Sequence, residues 1–301
     1  RSELTTGGPL RGLSTLSRLV LYCDFARASV ERAAALDGVA LPPIELIPHG
    51  VDCAQFAPAP SASVRERRRQ ARRELFPERR DLDDAFLILN ANRNQPRKRL
   101  DLTLEAFARF ARDKPPSVRL CLHTGLREGG CDILAEAQRL GVAERLLLTS
   151  TSRTHPHFTD HALRALYNAC EVGLNTSLGE GWGLCSFEHA ATAAAQIVPA
   201  HSACRELWEG AAELVPARRQ VPLGPIFRAA EVDPAAVADA MERLYADPRH
   251  LEALSVAAYR RATRPGRSWH QVLSAWRQLL ATCQTPCRKG KGEPDGRYLY
   301  S

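Results

Sequence analysis

Residues 180 to 188 read Glu-Gly-Trp-Gly-Leu-Cys-Ser-Phe-Glu, with the apolar segment Val172-Gly173-Leu174-Asn175 before them and an apolar run from Leu184 after them. The first segment predicts a strand, the second a helix, and the glycines a tight turn between the two. Amides at such a turn have no partner in either element, and together with the positive end of the helix dipole they favour a phosphate. Gly181 and Gly183 let a ligand come close to the main chain. Glu180 falls on the loop and Glu188 on the first turns of the helix, so two carboxylates can accept hydrogen bonds from two separate sets of hydroxyls. A phosphate between two sugars is the outline of a nucleotide sugar.

The same alternation extends in both directions. Apolar segments at 86–89, 118–122, 146–148, 172–175, 197–199 and 213–215 predict strands, the last of them closing the sheet, and helices are expected at 102–111, 133–140, 163–169, 184–194 and 204–208. Nearly all-apolar strands alternating with amphipathic helices imply an α/β fold, a Rossmann-like doubly wound parallel sheet covered on both faces. Ligands of such sheets bind at the C-terminal strand ends, which directs Arg93, Glu180 and Glu188 toward one crevice. Upstream, 19–22 and 25–36 predict a strand and a helix, and 44–48 a further strand; after Pro234 three helices are expected near 235–245, 250–262 and 269–281.

Two further motifs accompany the glycine turn. After the strand at 85–89 comes Asn90-Ala91-Asn92-Arg93-Asn94-Gln95-Pro96-Arg97-Lys98-Arg99-Leu100-Asp101, and earlier stands His49-Gly50-Val51-Asp52, followed by Phe56 and Pro58. With Glu180 and Glu188 spaced around a Gly-aromatic-Gly turn, the chain resembles the retaining GT-B glycosyltransferases of family 4. The resemblance implies that Arg93 and Lys98 neutralise the donor diphosphate, although Asn92 and Arg99 stand where the family has glycine. It further implies that Glu180 holds donor-sugar hydroxyls, that Glu188 holds the ribose, that Gly181 lies against the donor, and that amides of Trp182, Gly183 and Leu184 add fixed dipoles. The loop 149–153, with Arg153, corresponds to the segment that holds the base, and Glu206 to a structural position. Transfer would proceed with retention, from a UDP- or GDP-sugar to an unidentified glycan, lipid or protein acceptor, with no cofactor and no metal.

By the same resemblance, residues 1–48 are a remnant of an N-terminal acceptor-side domain and 49–84 a linker with a basic helix. Residues 85–265 form the nucleotide-sugar-binding domain, 266–282 a crossing helix that braces the first domain, and 283–301 a disordered tail. The chain begins at Arg1 and its single methionine is Met241. It therefore reads as a fragment lacking most of the first domain, one that binds a nucleotide sugar but transfers it poorly alone.

Composition bounds the remaining choices. Nine cysteines, Cys23, Cys53, Cys121, Cys131, Cys170, Cys185, Cys204, Cys283 and Cys287, are scattered without pattern, as expected of reduced thiols in a cytoplasmic protein. The net charge is +7, and residues 65–99 carry twelve Arg or Lys against six Asp or Glu. Arg67, Arg68, Arg69, Arg72 and Arg73 predict a solvated helix face. The alternatives are peripheral contact with an acidic membrane and binding of nucleic acid; the latter is not expected, because aromatic residues are 6% of the chain and are not interleaved with the arginines. Asp81 and Asp83 have the form of a metal-binding pair but precede a strand and read as a loop, as do His155, His157 and His161. Two other readings stay open: a catalytically silent nucleotide-sugar-binding module, and a basic nucleic-acid-binding protein.

Overall fold

The computed structural model describes residues 3–282; Cys283, Cys287 and the polar tail lie outside the described residues. The chain opens with β1 (Glu3–Leu4), β2 (Leu19–Leu21), α1 (Asp24–Leu36), β3 (Ile44–Leu46) and α2 (Val64–Leu75). β2 and β3 pair in parallel, and α1 packs its Val30, Ala33 and Ala34 over them.

The central sheet holds β4 (Phe86–Asn90), β5 (Val118–Leu122), β6 (Leu146–Leu148), β7 (Val172–Leu174), β8 (Ala195–Pro199) and β9 (Glu213–Val215), with the connecting helices α3 (Leu100–Phe110), α4 (Ile133–Arg139), α5 (Asp160–Ala169), α6 (Leu184–Ala191) and α7 (Ser202–Trp208). All six strands run parallel, in the order β6-β5-β4-β7-β8-β9. The strands are mostly apolar because both faces are covered, and alternate residues serve different cores. Leu87, Leu89, Cys121 and Val198 enter one, while Ile88, Leu120, Leu122 and Ile197 enter the other. Each such side chain contributes roughly 1.5 to 3 kcal/mol of transfer free energy. The order reverses between β4 and β7, so the loops after these two strands part and leave a crevice at the switch point.

Two expectations need correction. Val215 does not end the strands: β10 (Ala217–Pro222) and β11 (Phe227–Val232) form an antiparallel hairpin that β1 extends to three strands. Its exposed Ala-Arg-Arg-Gln start offers no apolar run, which is why periodicity missed it. The hairpin braces the crevice loops, since Ala230 donates to the Leu178 carbonyl and Leu178 to that of Arg97.

The basic helix is not a solvated face either. Ser63 caps α2 by accepting from the Glu66 amide, and Arg67, Arg68 and Arg72 are then buried against α5 and the sheet. Arg72 donates to the carbonyls of Ala169, Leu82, Asp83 and Ala85 and to both oxygens of Glu171 at 2.7 and 2.8 Å. Only a guanidinium's fork can satisfy so many acceptors at once. Arg69 and Arg73 do face outward, to Asp84 and Asp83.

The chain finishes with α8 (Pro234–Ala246), α9 (Pro248–Thr263) and α10 (Trp269–Thr282). Asp233 and Asp247 cap the first two, each followed by the proline that suits a first helical position. Among the described residues no helix is long and apolar enough to cross a membrane.

Candidate functional site

A crevice of about 370 Å³ opens at the switch point, lined by the loop after β4, the loop after β7, the start of α6, and Tyr22 and His49. Lys98 closes a short 3-10 turn, and the following Arg99 adopts φ 52°, ψ 52° before α3 begins. That left-handed conformation is the one glycine favours; Arg99 holds it through ion pairs with Asp101 and with Glu231 of β11.

Turning Arg99 left-handed brings Lys98 inward. Its buried ammonium donates to Asn92 Oδ1 at 2.7 Å and forms an ion pair with Glu180. The same Glu180 oxygen accepts from Ser177 Oγ at 2.8 Å and Asn175 Nδ2 at 3.4 Å, and Arg97 lies 3.7 Å from the other. Burial opposes ionisation of Glu180, yet the charge and hydrogen bond of Lys98, with Ser177 and Arg97, hold its carboxyl below the usual carboxylate range. The carboxylate form of Glu180 is therefore the favoured one beside Lys98.

The glycine turn forms as its residues require. Gly183 has φ 86° and caps α6, and the amides of Leu184 and Cys185 have no acceptor among the described residues. At Gly181 a Cβ would lie 2.3 Å from the Tyr22 hydroxyl. Trp182 is buried edge-on to His49 and beneath the Arg267 guanidinium, 4.4 Å from its ring centroid. His49 in turn stacks on Tyr22 at 4.9 Å. These contacts join the segment before residue 49 to the glycine turn, and Glu206 adds another by accepting from the first amides of α1, Asp24 and Phe25.

The structure thus brings together Lys98, Glu180, Gly181, Trp182, Gly183 and Leu184. Arg93 is not among them: its exposed guanidinium is paired with Glu128. Glu188 lies one turn along α6 from Leu184, on the same side, half-buried and accepting from the Tyr167 hydroxyl at 2.9 Å. Burial pushes its carboxyl above the usual range. Arg153 is exposed, and its backbone carbonyl accepts from Arg127 across the loop from Gly125. Asp81 is bound to Arg79 and Arg119, and Asp83 to Arg73. Sequence reasoning passed over Arg97, Asn92, Asn175 and Tyr22 as crevice residues; the pairing of the two loops, which no local pattern encodes, puts them there.

The model of the glycosyl transferases group 1 family matches residues 85–247. The chain belongs to that family. Over 144 residues the group 1 chain is 31% identical to the D-inositol 3-phosphate glycosyltransferase of Geodermatophilus obscurus, a match covering 48% of this chain and 30% of the relative. It is similar in fold to the sucrose-phosphate synthase of Thermosynechococcus elongatus (20% identity, TM-score 0.68, 90% of this chain and 60% of that one). It is also similar to Anabaena HepE in complex with UDP and glucose (15% identity, TM-score 0.67, 90% of this chain and 65% of that one). At these identities the likeness to the two structures is one of fold, and it matches the GT-B architecture. The chain spans about a third of the length of the curated relative it matches.

Proposed function

We propose that this chain is the donor-binding half of a retaining glycosyltransferase of family 4, using a UDP- or GDP-sugar. The observation that supports it most is the buried Lys98–Glu180 pair beside the open amides of α6. A buried ion pair is a poor stabiliser, because desolvation offsets most of its attraction. A binding role accounts for its presence. An entering diphosphate takes the Lys98 ammonium, and Glu180 is released to accept from donor-sugar hydroxyls. Arg97 already lines the crevice, and Arg93 joins as a second phosphate contact once it leaves Glu128. Glu188, one turn further along α6 from Leu184, would receive the ribose, and Arg153 would contact the base.

As the sugar–phosphate bond breaks, negative charge grows on the diphosphate, where Lys98 and the α6 dipole oppose it. No divalent metal is needed for that neutralisation. The acceptor attacks from the face the diphosphate leaves, its proton passing to the departing phosphate, and configuration is retained. Residues 1–48 would belong to the acceptor side, and α10 would brace it. The complex of Anabaena HepE with UDP and glucose agrees with a nucleotide sugar as donor. Calorimetry with UDP, GDP and their sugars tests the reading: saturable one-to-one binding that survives chelator is expected, and its absence with every nucleotide at millimolar concentration would refute it.

A further inference from the structure

At the end of the sheet opposite the donor crevice lies a larger cavity, of about 720 Å³, between α2 and α9 and beside the N-terminal ends of β4, β7 and β8. That volume falls within the range of small-molecule sites. Val64, Leu251 and Val256 line it with apolar surface, and its most buried charged side chains are Arg68, Arg72 and Glu171.

These three do not balance. Arg72 reaches both oxygens of Glu171, and the Leu87 amide donates to one of them at 2.7 Å. Little of that carboxylate is left for Arg68. Its Nε lies 3.0 Å from Glu171 Oε1 but is not aligned for a hydrogen bond. Among the described residues the Arg68 side chain makes no hydrogen bond, although the residue is only 6% exposed. Arg68 is thus met by the charge of Glu171 without a hydrogen bond, and a further anion that accepts from its unused planar fork would offset the cost of its burial.

The surrounding charges restrict what that anion can be. Asp83 is engaged by Arg73, and Asp84 by Arg65 and Arg69; Glu252 stands exposed on α9. With Glu66, which pairs with Arg69, counted in, Arg65, Arg68, Arg69, Arg72 and Arg73 face as many carboxylates, Glu66, Asp83, Asp84, Glu171 and Glu252, so only the fork of Arg68 is left to receive an anion. A ligand with more than one negative charge would be repelled by the carboxylates. A guanidinium's two parallel donors match the two oxygens of a carboxylate.

We infer that this cavity is a second ligand site, separate from the donor crevice, that takes a monocarboxylate with an apolar body, its head on Arg68 and its body along Val64, Leu251 and Val256. Octanoate is a suitable probe and 1-octanol its uncharged counterpart, both followed by ligand-observed NMR on the whole chain. Octanoate should bind saturably one to one, with octanol about tenfold weaker or worse, the discrimination expected of a charge-assisted pair. Arg68→Met should weaken octanoate by about tenfold or more while UDP binding is kept. Val256→Trp fills the mouth from an exposed position with Arg68 intact, so it decides the matter if the first variant does not fold, and it too should weaken octanoate. The inference is overturned if octanoate shows no saturable binding at millimolar concentration, if octanol binds as tightly, or if Val256→Trp or a folded Arg68→Met leaves octanoate affinity unchanged.

Discussion

The Lys98 ammonium and the Glu180 carboxylate, 82 residues apart in the chain, meet as a buried ion pair at the point where the sheet reverses its strand order. Each arrives on a different loop, so the pair forms only when β4 and β7 lie side by side.

Replacing Lys98 should therefore have two separable effects. Lys98→Ala should weaken UDP and GDP by about 1.5 to 3 kcal/mol, the range of a charge-assisted contact. It should also lower the melting temperature, because Glu180 is left buried with only the more distant Arg97 as counter-charge. Adding Glu180→Gln should recover much of the stability but none of the affinity. Arg93→Ala should cost less binding than Lys98→Ala, since its guanidinium must first abandon Glu128. Calorimetry and thermal melts on the three variants check this, and an unchanged affinity in Lys98→Ala would remove the assignment.

The arginines of α2 should divide by burial rather than by sequence. Arg72→Met removes the bidentate partner of Glu171 and the donor to several buried carbonyls, and is expected to destabilise by about 3 to 5 kcal/mol. Arg73→Met breaks only an exposed pair with Asp83 and should leave the urea midpoint nearly unmoved. Equal midpoints for the two variants would contradict the burial described for α2.

Stability should decline in mild acid. Burial lowers His123 and His201 from 6.5 to about 4, and His189 to about 3. Between pH 6.5 and about 4 the unfolded chain therefore binds protons that the folded chain refuses, and unfolding free energy falls as pH falls. The depressed Glu180 acts in the same direction at lower pH, its contribution being present above the unfolded carboxylate pKa and lost as pH drops through the folded one. Urea midpoints at pH 7, 5.5 and 4.5 should decrease in that order. A flat series would mean that these imidazoles are not held neutral.

Nucleotide affinity should be indifferent to chelator. Lys98, Arg97 and the α6 amides already oppose the diphosphate charge, and the nearest Asp-x-Asp pair is occupied by arginines. A strict requirement for magnesium or manganese in the same titration would refute metal-independent binding.

Most of the sheet was legible because strands buried on both faces are written as predominantly apolar runs. The boundaries erred only by a residue or a few, as with α6, which ends at Ala191 where apolar residues continue to Ala195. The hairpin of β10 and β11 was not legible: its first strand is polar and solvent-exposed. Burial of Arg72 was hidden for another reason. A run of arginines has the same appearance whether solvated or not, and only the packing of α2 on Glu171 decides. At the crevice, Lys98 and Glu180 are named through the resemblance to the family's motifs, whereas the diversion of Arg93 to Glu128 and the entry of Arg97 depend on loop geometry. Arg99 in a left-handed conformation belongs to the same class, as a side chain where a glycine would be expected.

The central claim is that one crevice reads phosphate through Lys98 and sugar through Glu180. Calorimetric titration of wild-type and Glu180→Gln chains with both UDP and its cognate UDP-sugar, or the GDP pair if that base is preferred, tests it most directly. The account predicts that Glu180→Gln binds the nucleoside diphosphate nearly as wild type does but loses the additional affinity conferred by the sugar. Equal losses for diphosphate and sugar nucleotide, or none for either, would contradict it.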